Sequence, residues 1–160
     1  QKLKDLCVSI LKRNLKKMPR MENKTNPTTT SFRQSLKLIQ AGTPTDKADF
    51  VWVTTDAVPL EPILELKESA QKRYNHPNWK FTPAWSLSKL IDLLRDEITV
   101  LGDDEETLSD STQYLLRIDH HSVSYVTIDG KDIHTSNFAL NLMDAVVEMV
   151  IWLAKEGWYE

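Results

Sequence analysis

The sequence predicts an α+β domain in which a small antiparallel sheet is covered mainly on one face by helices. Three observations carry this expectation. The first is a pair of β-rich runs, 113–119 and 122–128, followed by Asp129-Gly130, the dipeptide that favours a two-residue hairpin turn. The second is the run that opens at Ser86, where a natural N-cap precedes Leu87, Leu90, Ile91, Leu94 and Ile98 at helical spacing. The third is 137–156, whose apolar residues Leu140, Met143, Val146, Val147, Val150, Leu153 and Ala154 leave only a narrow polar stripe around Asp144 and Glu148. An apolar arc that wide needs a sheet or other helices over it.

In chain order, residues 1–22 form a basic tail with the pattern of a moderately amphipathic helix over 3–18, ended by Pro19. Met21 lies just before a polar linker, 23–31, and is read as a candidate native start, with the residues upstream of it not native. The folded domain is expected over 32–160. Ser31 caps a helix over 32–41, Gly42 supplies its left-handed stop, and Pro44 prevents continuation. Residues 50–55, rich in aromatic and β-branched side chains, read as a strand. The stretch 56–82 is interrupted by Pro59, Pro62 and Pro77 and is expected to be a variable excursion, with a surface helix within 61–74 and an extended piece at 78–82. The Ser86 helix is expected to run to residue 98 and to end at Gly102 and the acidic loop 103–106. Strands follow at 113–119, 122–128 and 131–135, and with 50–55 they make the four-stranded sheet. Ser136 or Asn137 then caps the last helix, and Gly157 marks its end.

Composition narrows the functional classes. Residues 1–24 hold eight basic side chains against Asp5 and Glu22, a net of +6, which leaves −9 for the remainder of a chain at −3. Such a body repels phosphates, so nucleic-acid binding is expected only through the basic tail. One cysteine, Cys7, excludes an internal disulfide and a multi-cysteine zinc site. No run approaches the roughly 18 apolar residues of a membrane span.

Chemical motifs are few. Asp119, His120 and His121 are residue types that ligate Mn²⁺ or Zn²⁺, and the tripeptide resembles the metal site of the DHH phosphoesterases. The likeness ends there: that family needs further aspartates on several parallel strands and a Gly-rich second domain, and adjacent side chains in an antiparallel turn diverge. The metal assignment is therefore rejected. No Gly-rich phosphate loop, no Gly-x-Ser-x-Gly elbow and no ordered partner for Cys7 is present, and neither a catalytic residue nor a cofactor is assigned. The five tryptophans are the remaining hint, and Trp79, Trp85, Trp152 and Trp158 are the candidate binding residues.

Three stretches carry a resemblance. Gln34-Ser-Leu-Lys-Leu-Ile-Gln-Ala-Gly42 with Thr45 and Ala48-Asp49, Pro83-Ala-Trp-Ser-Leu-Ser88, and the β-meander leading to Ala145, Trp152-Leu153 and Gly157 are similar to a family of small proteins without assigned activity. These are carried by phages, prophages and mobile elements of gut anaerobic bacteria. The likeness covers about residues 33–55 and 83–157, and the chain departs from it in the basic tail and in 56–82. It implies an accessory protein of the bacterial cytoplasm and assigns no catalytic residue.

The reading is then a non-enzymatic protein that binds a protein partner or itself. One alternative is a small-ligand or nucleotide-binding protein, or a minor hydrolase, with a pocket near Trp85. Another is nucleic-acid binding through the tail.

Overall fold

A computed structural model describes residues 28–57, 60–100, 111–137, 139 and 141–159. The basic tail, most of the linker and the acidic loop 103–106 lie outside the described residues.

The domain is α+β, built on two antiparallel sheets. Helix α1 (Phe32–Ala41) starts in a reciprocal cap: the Gln34 N–H donates to Ser31 Oγ and the Ser31 N–H donates to Gln34 Oε1. Gly42, at φ 95°, ends it in the left-handed conformation that a glycine adopts without Cβ strain. Strands β1 (Phe50–Thr55), β2 (Ile63–Leu66) and β3 (Trp79–Ala84) form a three-stranded sheet ordered β2-β1-β3, with helix α2 (Lys67–Arg73) between the last two in sequence. Helix α3 (Leu87–Leu93) follows. Strands β4 (Glu97–Val100), β5 (Thr112–Ile118), β6 (Val123–Val126) and β7 (Asp132–Thr135) form a four-stranded meander, and helix α4 (Leu142–Lys155) closes the domain.

The four-stranded sheet is one-sided. Ile98, Tyr114, Leu116 and Tyr125 are cross-strand neighbours on its inner face and pack into the main core, whereas Glu97, Gln113, Leu115 and Arg117 face solvent. The α1, α3 and α4 helices supply the other half of that core, through Leu38, Leu90, Val146, Met149, Val150 and Leu153, all without exposed surface. The expected burial of Val146, Val150 and Leu153 is what the structure has.

Four expectations about elements are corrected. Strand 50–55 does not join the meander. Its partners come from the excursion 56–82, where Ile63–Leu66 pairs with one edge and Trp79–Ala84 with the other. The expected surface helix at 61–74 is thereby reduced to α2, because the backbone of 63–66 pairs along the edge of β1 instead. The Ser86 helix stops at Leu93; Glu97–Val100 turns its Ile98/Val100 alternation into β4, paired with β5. The last helix begins at Leu142 with Asn141 as its cap, accepting from the Asp144 N–H, so neither Ser136 nor Asn137 caps it. Ser136 Oγ instead accepts the Val123 N–H, and Asn137 bonds the Glu148 carboxylate.

Trp85 joins the two sheets. It leaves β3, its side chain lies in the main core with no exposed surface, and Ser86 caps α3 one residue later. Thr30, also fully buried, holds it from both sides. The Trp85 N–H donates to Thr30 Oγ1 at 3.0 Å, and the Thr30 N–H donates to the Trp85 carbonyl at 2.9 Å.

Thr30→Val keeps the volume but leaves the Trp85 N–H without its acceptor. It is expected to lower unfolding free energy by roughly 1–3 kcal/mol, read from urea melts. Val150→Asp buries an unpaired charge and should cost several kcal/mol of the ~5–15 that holds such a domain, so circular dichroism should show an unfolded chain.

Candidate functional site

The candidate tryptophans fall into two groups. Trp85, Trp152 and Trp158 belong to the main core and its rim; Trp79 belongs to the small cluster under the three-stranded sheet.

Trp152 is half-buried on α4, near the polar side that carries Glu148 and Glu156. Its indole stacks on the His134 ring of β7, with centroids 4.5 Å apart and planes 2° from parallel, and the Tyr125 ring sits 6.1 Å away. Such flat stacking consumes one face of the indole. His134 Nε2 is buried and has no hydrogen-bond partner among the described residues. Burial pulls the His134 pKa below its ordinary value, against the opposing pull of the Glu148, Glu156 and Asp132 carboxylates.

Trp158 lies in the turn after α4, with the Arg95 guanidinium over its ring at 5.6 Å; the same guanidinium donates to its carbonyl at 2.8 Å. The neighbouring tyrosines complete this seam. Tyr125 Oη donates to the Arg95 carbonyl and accepts the Arg95 N–H, while Tyr159 Oη donates to the Leu93 carbonyl. Burial pushes the Tyr125 phenol up to about 12, so it stays a donor throughout the neutral range. Trp152 and Trp158 are thus tied to their own domain, locking the end of the chain over the α3–β4 connection.

The three-stranded sheet is different. Trp79 packs on Tyr74 at 4.8 Å, and Tyr74 Oη donates to Glu65, which Arg73 also pairs at 2.7 Å. Along the same face the register sets Ile63 and Phe81 on either side of Val53. Val53 is buried, but Ile63 and Phe81 are each 39% exposed, and Leu60 just before β2 is more exposed still. The seven-residue α2 buries Ala70 against Val51 and Val53 and extends no further. An apolar row flanked by two aromatics is left open. Sequence reasoning named Trp79 but missed Ile63 and Phe81. The signal was the alternation Trp79, Phe81, Pro83 on one face of the strand.

Asp119, His120 and His121 are exposed in the β5–β6 turn, which closes by the Asp119 N–H donating to the Ser122 carbonyl; Asp119 pairs with Arg117 at 3.3 Å. Among the described residues no three metal-ligating side chains converge. The described residues also form shallow surface depressions. One of about 320 Å³ lies beside Asp56, Pro77 and Lys80, and one of about 590 Å³ beside Asp46, Asp49, Leu66 and Glu68. Trp85 lines neither. No helix among the described residues is long and apolar enough to cross a membrane.

Compared with known proteins, the chain matches no family model, no curated protein and no solved structure.

Because its folded pKa is lowered, His134 binds fewer protons in the native state than in the unfolded chain. Its share of stability is complete above about pH 6.5, the unfolded value, and is lost as pH falls below it. Urea midpoints measured from about pH 7.5 to 5.0 should fall more steeply in the natural chain than in His134→Phe, which keeps the stack without the titration.

Proposed function

We propose that the chain is a non-enzymatic binding protein that engages a protein partner, or a second copy of itself, through the open face of the three-stranded sheet. One observation carries the reading: Ile63 and Phe81 stay exposed on either side of Val53, with Trp79 and Tyr74 beside them, while the other sheet's inner face is covered. Apolar side chains grouped this way on a small domain mark contact surfaces, and aromatic residues supply most of their binding energy. The Arg73–Glu65 pair gives the row a polar rim on the α2 side, as contact faces commonly have. The Pro83–Leu87 run supports an accessory role in a phage or mobile element. In this domain its residues end β3, fill the core and cap α3, so the likeness bears on shared architecture.

Phe81→Asp and Ile63→Asp replace exposed side chains, so thermal melting should stay close to that of the natural chain. Sedimentation of the purified protein over a range of concentrations, with quantitative capture from host lysate, measures association. The natural chain should self-associate or retain a stoichiometric partner, and either substitution should weaken that contact by roughly 30-fold, a hot-spot loss near 2 kcal/mol. A natural chain that is monomeric and captures the same proteins as Phe81→Asp would sink the reading.

A further inference from the structure

Strand β2 is an edge of the three-stranded sheet, paired on one side only. The register shows which of its backbone groups are spare. The Lys67 N–H donates to the Asp49 carbonyl at 3.0 Å, so the pair just past the end of β2 is a hydrogen-bonded one. Such pairs alternate along an antiparallel ladder, which makes Val51–Glu65 and Val53–Ile63 hydrogen-bonded as well. The N–H and carbonyl of Leu64, and the N–H of Leu66, therefore point away from β1. None of them has a hydrogen-bond partner among the described residues. Ile63 on one face of this edge is 39% exposed, and Leu66 on the other is 54% exposed. Only an extended segment laid alongside would satisfy the backbone and cover both faces together.

Charge indicates which segment. Glu61, just before β2, and Lys67, just after it, take part in none of the ion pairs among the described residues. The Lys67 ammonium makes only a long hydrogen bond, 3.4 Å, to the Asp46 carbonyl. A second copy of β2, laid antiparallel, can set Leu64 opposite Pro62, Leu64 or Leu66. The first register puts Glu65 opposite Glu61, and the last puts Glu65 opposite itself; like charges so placed repel. The middle register puts Lys67 of each copy opposite Glu61 of the other. It also suits the backbone. Each Leu64 N–H meets the other Leu64 carbonyl, and each Leu66 N–H meets a Pro62 carbonyl. Pro62 has no N–H to give, and the Leu66 carbonyl, at the N-cap of α2, is the one that needs none.

We infer that β2 is a dimerisation edge: two copies pair β2 with β2, antiparallel about a twofold axis at Leu64, and their small sheets become continuous. A contact of this kind is isologous and closes on itself. The inference goes beyond the proposed contact face, because it uses the backbone of β2 and leaves the Phe81 side of the sheet free.

Sedimentation of the natural chain over a wide concentration range should show a dimer. Leu64→Pro deletes only an outward N–H, which an edge strand tolerates, and should weaken that dimer on the order of 10-fold or more. Phe81→Asp should leave it intact, since Phe81 lies on β3, beyond β1. The register is read by cysteine pairs placed in a Cys7→Ser chain. Residues opposite each other across a non-hydrogen-bonded pair are about 4.5 Å apart, within disulfide reach. Residues 61 and 67 of one chain are separated by roughly 20 Å of extended backbone, so a bridge between them joins copies. Oxidised Glu61→Cys/Lys67→Cys should give a covalent dimer bridged from 61 to 67, and Glu61→Cys/Glu65→Cys far less. This arm decides the matter even if Leu64→Pro folds poorly. A monomeric natural chain, or equal cross-linking of the two cysteine pairs, would overturn the inference. A dimer lost in Phe81→Asp and kept in Leu64→Pro would belong to the open face, and would refute the edge pairing while sparing the proposed function.

Discussion

The fold depends on one buried exchange, the pair of hydrogen bonds between Thr30 and Trp85. Thr30 comes from the end of the polar linker, yet it has no exposed surface. Its hydroxyl accepts the Trp85 N–H and shares a further hydrogen bond with Ser35 of α1, while its carbonyl accepts from the Trp52 indole of β1. One residue, through its hydroxyl and its backbone, thereby fixes the entrance of α1, the centre of the small sheet and the exit of β3. Groups so deep find no water to replace a lost partner, which makes the exchange cooperative. The indole of Trp85 is placed by it in the core shared with α4. Two sheets that share no strand thus behave as parts of one domain.

The second constraint lies at the other end of α4. A helix with a nearly continuous apolar face needs its final turn held down, or the last core residues fray. Gly157, at φ 78°, turns the chain back, and Trp158 and Tyr159 then anchor on Arg95 and Leu93. Tyr125 braces the same α3–β4 connection from inside the sheet. A cation over an indole and three buried or half-buried hydrogen bonds do the work that a longer helix pairing would do elsewhere. This explains why a chain of this size carries so many tryptophans: several are clamps.

The parts of the fold that were legible in the sequence are those set by local chemistry. Ser31, Ser86 and Gly42 sit where caps and stops belong, and Gly130 occupies a left-handed turn position between β6 and β7. The errors came where one apolar pattern fits two structures. Leu87, Leu90, Ile91, Leu94 and Ile98 are spaced for a helix, but Ile98 and Val100 alternate equally well for a strand, and pairing with Tyr114 and Thr112 decides between them. Ile63 and Leu64 posed the same ambiguity, settled by the free edge of β1. Of the candidate site, residue type was readable but burial was not. Nothing local separates Trp85, a core residue, from Trp79, since burial is a property of what packs above each strand.

That distinction also orders the functional argument. Apolar exposure becomes informative only after the domain's own needs are met. Trp85 fills the core, Trp152 spends one face on His134, and Trp158 carries Arg95. Each has a partner inside the domain that explains its presence. Ile63 and Phe81 do not. They lie on a sheet whose covering helix is only seven residues long, and their neighbour Val53 is buried in the cluster that this helix makes through Ala70. Replacing either with a polar residue would remove no core contact of the size that Trp85 makes, so stability gives little reason to keep them apolar. Apolar surface that does not serve the fold is the ground on which the proposed contact is put on the small sheet and not on the aromatic seam at the end of α4.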